Sequence, residues 1–173
     1  MSIVTIEQIW KRIAEISLGN AKRARMHLDS SVAAFLDIYN ERVILLDDFF
    51  IKHESPVDIC IILYGGLKDS HVLGYHLEGN NLLYYRPKAS HKRYVETPFL
   101  VGNPDPNHPL LLFDHDLATG NAMREAAKYF RGQGYSEENI FGYADSGYVN
   151  EKHGTPELMH IDKLLDFKGG NGR

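Results

Sequence analysis

The stretch from Leu110 to Phe130, LLLFDHDLATGNAMREAAKYF, decides the fold of this chain. Its first four residues are an unbroken apolar run, which is typical of a strand buried on both faces of a parallel sheet. From Ala122 onward the apolar residues recur at helical spacing, and Gly132 and Gly134 mark the end of that helix. The stretch therefore predicts a buried strand, an acidic turn and a helix.

The turn between the strand and the helix, LATGN at 117–121, predicts an anion site. Backbone N–H groups at a helix N-terminus lack acceptors within the helix, and the helix dipole adds positive charge there. Asp114 and Asp116 precede the turn, and their carboxylates could hold a hydrated magnesium ion or accept hydrogen bonds from sugar hydroxyls. An ordinary strand, turn and helix with a solvated pair of aspartates is the alternative interpretation.

Two common phosphate motifs do not fit this turn. A dinucleotide-binding fingerprint needs G-x-G-x-x-G, but Gly120 stands alone. A Walker A loop needs Gly-Lys-Ser/Thr, but Asn121 and Ala122 follow the glycine. A third motif is closer, because Phe113-Asp114-His115-Asp116 resembles the D-x-D opening of the haloacid-dehalogenase phosphatases, in which the first Asp is the nucleophile. That family places the motif near its N-terminus, whereas here it lies two thirds of the way along the chain.

A fourth resemblance extends beyond one motif. The stretch LLLFDHDLATGNAMREA resembles the motif with which type I phosphoribosyltransferases bind 5-phosphoribosyl 1-pyrophosphate (PRPP). Upstream, the apolar run Asp58–Leu63 ends in Gly65-Gly66-Leu67-Lys68, where the family has its pyrophosphate loop, a glycine turn followed by a helix. A further strand, Leu82–Arg86, precedes a long polar stretch, where the family has a mobile lid.

The resemblance implies a parallel α/β sheet flanked by helices, with PRPP and Mg²⁺ as donor and a nitrogenous base as acceptor. The implied catalytic residues are Asp114, Asp116 and His115, with Asp114 also the metal ligand. The implied 5′-phosphate site is Ala118, Thr119, Gly120, Asn121 and Ala122. The implied pyrophosphate site is Gly65, Gly66, Leu67 and Lys68. Charge from the lid would come from Lys88, Lys92 and Arg93.

The chain also departs from the family's pattern. The family has two adjacent acids at the strand end, and His115 occupies the second position. Neighbouring carboxylates would favour the charged form of this histidine, which could contact a ribose hydroxyl. Ala118 stands where purine-salvage members carry an Asp, which disfavours a hypoxanthine- or guanine-type enzyme. Asn121 and Ala122 replace the usual residues that follow the glycine, so a hydroxyl that often holds the phosphate is lost.

The segment that follows the motif helix predicts the base site. Asn139–Ala144 is typical of the next parallel strand, and the loop at its carboxyl end should border the same crevice. Tyr143 or Tyr148 could stack on a base, and Asp145 could bind its polar edge. Nothing in these residues selects one base, and a pyrimidine-like acceptor is one possibility.

Composition limits the alternatives. With 173 residues the chain suits one domain, for which we expect an N-terminal helical hood at 1–55, an α/β core at 56–166 and a flexible tail at 167–173. The single cysteine, Cys60, lies in an apolar run and favours core packing in a reducing cytoplasm. A formal net charge of −4 and a charged, amphipathic N-terminus disfavour nucleic acids and membranes as partners, and a homodimer is compatible with the fold.

A non-catalytic protein that binds PRPP or a nucleotide in order to sense it is the main rival to an enzyme. The missing second acid and the missing hydroxyl favour this rival. No added DNA-binding segment is recognisable in the sequence, which disfavours a transcription regulator.

Overall fold

The computed structural model describes residues 32–53, 56–63, 65–88, 98–116, 120–146 and 155–166. One six-stranded sheet forms the centre of this part of the chain. Its strands are β1 (Asp58–Ile62), β2 (Asn81–Arg86), β3 (Phe99–Val101), β4 (Leu110–Asp116), β5 (Ile140–Ser146) and β6 (Thr155–His160). The described helices are α1 (Val32–Lys52), α2 (Asn121–Gly132) and the short α3 (Ile161–Asp166).

The strands lie in the order β3-β2-β1-β4-β5-β6. The four inner strands are parallel, whereas the edge strands β3 and β6 run antiparallel to their neighbours. The predicted α/β fold with a parallel sheet core and flanking helices is thus confirmed, and the sheet is mixed because of its two edges. The sequence patterns did not predict these two edge strands.

Burial explains why the inner strands are continuous apolar runs. Every residue of β1 is buried, and Leu110–Phe113 of β4 are inaccessible to solvent. On one face of the sheet, α2 packs Met123, Ala126 and Phe130 against the even-numbered side of β1, which includes Cys60. Cys60 is therefore a core residue, as predicted.

The opposite face is covered by α1 and by the connection between β1 and β2. Leu46 and Phe49 of α1 pack against Ile59 and Ile61. The sequence predicted a helical segment at 1–55, and within its described part the structure has one helix, Val32–Lys52. The helix that the family resemblance implied after the glycine turn is replaced by two 3₁₀ segments, Gly66–Lys68 and Ser70–Leu77.

The connections between neighbouring parallel strands lie on opposite faces of the sheet in the two halves of the sheet. The chain passes from β1 to its neighbour β2 on the α1 face, and from β4 to its neighbour β5 through α2 on the other face. The winding direction therefore reverses between the adjacent strands β1 and β4. Such a reversal opens a crevice at the carboxyl ends of the two strands, and ligands of open α/β sheets bind in such crevices.

Residues 1–31 and 167–173, which include most of the expected hood and the expected tail, lie outside the described residues. Within the described part of the hood, α1 packs into the core through Leu46 and Phe49. No helix in the described ranges has the length and apolar character needed to cross a bilayer.

Candidate functional site

The candidate site lies between the carboxyl ends of β1 and β4. These strands are direct neighbours, and Ile61 is the register partner of Phe113. The glycine turn follows β1 and the acidic segment ends β4, so the switch in winding brings together two segments that are distant in sequence. Both were predicted site segments.

The glycine turn packs tightly against the end of β4. A Cβ placed on Gly65 would overlap Oδ1 of Asp114, and one placed on Gly66 would overlap the carbonyl oxygen of Phe113. Gly65 has an ordinary right-handed helical backbone, with φ −55°, so the close contact rather than the backbone conformation requires the glycine. Any larger residue at either position would move the turn away from the acidic segment.

Asp114 is a nearly buried carboxylate at this edge of the sheet, with 8% of the residue exposed. Its Oδ1 accepts a hydrogen bond of 2.8 Å from the backbone N–H of His115. This bond orients the carboxylate next to the glycine turn. The ribose and metal role of Asp114 stays a prediction.

The next residue, His115, contacts a different carboxylate. Its Nδ1 lies 2.5 Å from Oδ2 of Asp69, the residue that follows the 3₁₀ segment Gly66–Lys68, and both side chains are 18% exposed. Burial alone would raise the pKa of Asp69, but the hydrogen bond and charge of His115, with the charges of Arg42 and His71, together lower it.

Of the predicted phosphate site, the structure describes the residues from Gly120 onward, at the start of α2. Gly120 has φ +68°, a left-handed conformation that favours glycine, and it makes no side-chain capping bond. The first helical bond runs 2.9 Å from the N–H of Arg124 to the carbonyl of Gly120. The N–H groups of Asn121 and Ala122 precede it, at the positions where a helix leaves donors without intrahelical acceptors.

Several cationic side chains lie near the carboxyl ends of the strands. Lys68 and Lys88 are exposed. Arg86, the last residue of β2, donates a 2.6 Å hydrogen bond from Nη1 to the carbonyl of Leu63, just ahead of the glycine turn. Leu67, one of the predicted pyrophosphate residues, has its side chain in the core, so only its backbone can face a ligand.

The predicted base-binding residues divide into two groups. Tyr143 is 2% exposed and stacks on Phe113 in the core, with ring centroids 5.0 Å apart, a packing that disfavours contact with a base. Asp145 is the backbone register partner of Asp116 across β4 and β5, beyond an irregularity in the strand pairing. The two aspartates therefore share the same edge of the sheet as Asp114.

Several predicted site features lie outside the described residues. They are the side chains of Asp116 and Asp145 and the whole of Ala118, Thr119, Lys92, Arg93 and Tyr148. Their roles stay predictions.

Magnesium suits the donor that this edge supplies. Mg²⁺ prefers oxygen ligands and usually takes one or two carboxylates together with substrate phosphates and water. Asp114 is such a carboxylate, and it lies beside the predicted pyrophosphate turn. Within the described ranges, no group of three or more His, Cys, Asp or Glu residues could hold a metal. A single carboxylate beside a diphosphate ligand fits the coordination that Mg²⁺ takes.

Three residues near the crevice were given no role from the sequence. Asp69 contacts His115, and Arg86 binds the strand end before the glycine turn. Burial raises the pKa of Asp69, and the charge of Arg42 acts to lower it. Of these three residues, only Asp69 had a local signal in the sequence, because it is a carboxylate directly after a glycine turn. The partners come from elements far apart in sequence, so no local pattern connects them.

Comparison with known proteins gives matches only among solved structures. No protein-family model matches the chain, and no curated protein matches it. APRTase from Giardia lamblia complexed with 9-deazaadenine matches with a TM-score of 0.46 and 17% identity, over 70% of each chain. A purine phosphoribosyltransferase from Pyrococcus horikoshii Ot3 matches with a TM-score of 0.44 and 16% identity, over 65% of this chain and 78% of its own.

A third solved structure, the xanthine-guanine-hypoxanthine phosphoribosyltransferase of Helicobacter pylori, matches with a TM-score of 0.42 and 12% identity. The match covers 65% of this chain and 73% of that chain. All three resemblances are likenesses of fold at low sequence identity.

Proposed function

We propose that this chain is a phosphoribosyltransferase-like protein that binds PRPP with Mg²⁺ and transfers the phosphoribosyl group to a nitrogenous base. The observation that supports this most is the contact between Gly65 and Asp114 at the point where the winding of the sheet reverses. Ligands of open α/β sheets bind at such points. The contact joins the two segments that the proposal needs in one site.

Each part of PRPP has a proposed binding segment. The 5′-phosphate would lie on the turn 118–122, where the backbone N–H groups at the start of α2 attract anions. The pyrophosphate would lie on the turn Gly65 to Lys68, whose glycines permit close approach of the backbone. Lys88, Lys92 and Arg93 would add positive charge from the polar stretch that follows β2.

Asp114 has two proposed roles. Its carboxylate would accept hydrogen bonds from the ribose hydroxyls, and it would be the protein's ligand for Mg²⁺. When bound, Mg²⁺ would neutralise part of the charge on the diphosphate. Asp116 would assist Asp114, because it belongs to the same strand end.

Transfer would depend on the placement of charge rather than on a covalent nucleophile. As the bond between C1′ and the pyrophosphate oxygen breaks, positive charge develops on the ribose and negative charge on the leaving group. The Asp114 carboxylate would stabilise the positive charge on the ribose. The N–H groups and the lysine of the glycine turn would stabilise the negative charge on the pyrophosphate. The base nitrogen then bonds to C1′ and loses its proton. Exclusion of water would protect the intermediate from hydrolysis.

A second function, PRPP or nucleotide binding without transfer, is supported by the contact between His115 and Asp69. His115 takes the place of the second acid, and its imidazole is engaged by a neighbouring loop 2.5 Å away. Only one of the two expected acids is therefore present next to the glycine turn. Such a site could hold the ligand while transferring slowly or not at all.

Pyrophosphate release decides between transfer and binding alone. The purified chain should release pyrophosphate from PRPP and Mg²⁺ when a suitable purine or pyrimidine from a panel is present, and Asp114→Asn should abolish the release. Asp162→Asn is the matched control, because Asp162 is exposed on the remote helix α3. PRPP binding without release for every base would support the sensor. Phosphatase activity that needs no PRPP and is lost in Asp114→Asn would contradict both functions and support a haloacid-dehalogenase-type enzyme.

A further inference from the structure

The segment from Gly65 to Asp69 contacts three successive residues at the end of β4. Gly66 lies against the carbonyl of Phe113, Gly65 lies against the carboxylate of Asp114, and Asp69 pairs with His115. The first two contacts depend on the absence of a side chain. The third is the only one of these three that involves side chains on both segments.

The pair formed by Asp69 and His115 is placed to hold this segment. Its two atoms are 2.5 Å apart, and each side chain is largely shielded from solvent. A hydrogen bond to an ionised carboxylate that is shielded in this way is stronger than one in water. Arg42 of α1, a buried residue, acts on the same carboxylate through its charge. Asp69 therefore links the turn after β1 to the end of β4, and the charge of an arginine on α1 acts on its carboxylate.

We propose that Asp69 is a positioning residue that fixes the glycine turn against the end of β4 through His115 and so prepares it to bind a diphosphate. This inference rests on the proposed function, because it takes Gly65 to Lys68 as the pyrophosphate turn. A glycine-containing turn loses much conformational freedom when it is ordered. Ordering it before the ligand arrives removes that cost from binding.

The pair also supplies a carboxylate from the opposite segment. Position 115 carries a histidine, and the acid that pairs with it comes from Asp69 in the turn itself. Exchanging the two residues should therefore preserve the link. It would also return an acid to position 115, next to Asp114.

Two ligands that differ only in the diphosphate test the inference. PRPP carries the diphosphate and ribose 5-phosphate lacks it, so calorimetry with both separates an effect on the turn from an effect on the whole site. Asp69→Asn should weaken PRPP binding roughly tenfold, the scale of one charge-assisted hydrogen bond, and ribose 5-phosphate binding less than about twofold. The exchange variant Asp69→His/His115→Asp should recover most of the lost PRPP affinity.

The outcomes separate this inference from the function on which it rests. Equal weakening of both ligands in Asp69→Asn, or no weakening of either, would contradict the positioning role while leaving the proposed function intact. Failure of the native chain to bind either ligand would overturn both. Asp162→Asn again provides the control, and thermal melting of each variant verifies that it is folded. If the exchange variant does not fold, the ratio of the two affinities in Asp69→Asn decides alone.

Discussion

Each end of the inner strands has an aspartate close to a histidine that is paired with a carboxylate. The surroundings of the two aspartates differ. At the amino-terminal end, Asp58 is fully buried and lies 2.8 Å from Nδ1 of His108. At the carboxyl-terminal end, Asp114 is 8% exposed, and its neighbour His115 pairs with Asp69. The comparison separates a carboxylate that holds the fold together from one that lies at the proposed ligand site.

Asp58 is surrounded by donors from several parts of the chain. Besides His108, it accepts hydrogen bonds from the backbone N–H of Asp105 (2.8 Å), from Nδ2 of Asn81 (3.1 Å) and from the hydroxyl of Tyr135. Burial raises the pKa of Tyr135, and its hydrogen bond to Asp58 and the charge of Asp58 raise it further. The hydroxyl of Tyr135 therefore remains a donor. These bonds connect β1, β2, the loop before β4 and the segment after α2.

The difference teaches which of the two aspartates to assign to function. A buried polar group is tolerated when its hydrogen bonds are satisfied, and Asp58 meets that condition through protein donors. Asp114 lies at the winding reversal, beside a turn with glycines at two contact points. The first arrangement is structural, and the second is the one to which we assign a ligand.

The largest expected effect is on stability, from Asp58→Asn. In place of Oδ2, the new NH₂ group would face the N–H of Asp105 and the hydroxyl of Tyr135 instead of accepting from them, and in place of Oδ1 it would face Nδ2 of Asn81. We expect a loss of about 3 kcal/mol in the free energy of unfolding, measured by urea denaturation, because buried donors are left without acceptors. Ligand affinity of the folded fraction should not change. A loss of less than about 1 kcal/mol would remove the structural half of the comparison.

A smaller effect, on ligand affinity, is expected from Gly65→Ala. The added methyl group would displace the carboxylate of Asp114, so PRPP affinity should fall roughly tenfold in calorimetry. Gly132→Ala is the matched control, because a Cβ there meets no atom within 4 Å. It should leave affinity unchanged and raise helix stability by up to about 1 kcal/mol. Equal affinities for the two variants would show that the contact with Asp114 does not matter for binding.

The smallest effect concerns the acid sensitivity of the carboxyl-terminal end. Because the net effect of its surroundings lowers the pKa of Asp69 in the folded state, its ionised form stabilises the fold above the ordinary pKa of about 3.9. That contribution is lost as the pH falls through the lowered pKa. Unfolding titrations from about pH 5 to about pH 2 should show a steeper loss for the native chain than for Asp69→Asn. Identical slopes would mean that the pair with His115 does not stabilise the fold.

Much of the fold could be predicted from local sequence patterns. Continuous apolar runs predicted β1, β2, β4 and β5, because a strand buried on both faces needs apolar residues throughout. Helical periodicity predicted α2, because a helix buried on one face has apolar residues at helical spacing. The edge strand β3 has only three residues, which is too short for a recognisable pattern. The 3₁₀ segments after β1 also escaped prediction, since the family resemblance implied a regular helix there.

The candidate site could be predicted only in part. The acidic strand end and the two glycine turns are local features, and the structure places Gly65 beside Asp114 as the site requires. The pair of Asp69 with His115 and the donors around Asp58 join residues from distant parts of the chain. Such contacts follow from the strand order, which a local pattern does not contain. Tyr143 was predicted as a residue that could stack on a base, but it lies in the core, because alternation along β5 turns its ring toward Phe113.

The most direct test of the ligand site is calorimetry of PRPP with Mg²⁺ on the native chain and on Asp114→Asn. We expect the native chain to bind and the variant to bind roughly a hundredfold more weakly, because a charged acceptor for the ribose hydroxyls and the metal is lost. The free energy of unfolding of the variant should change by less than about 1 kcal/mol, because its Oδ1 can still accept from the N–H of His115. Equal affinity of the two proteins, or no binding by the native chain, would contradict the assignment of Asp114 to the ligand.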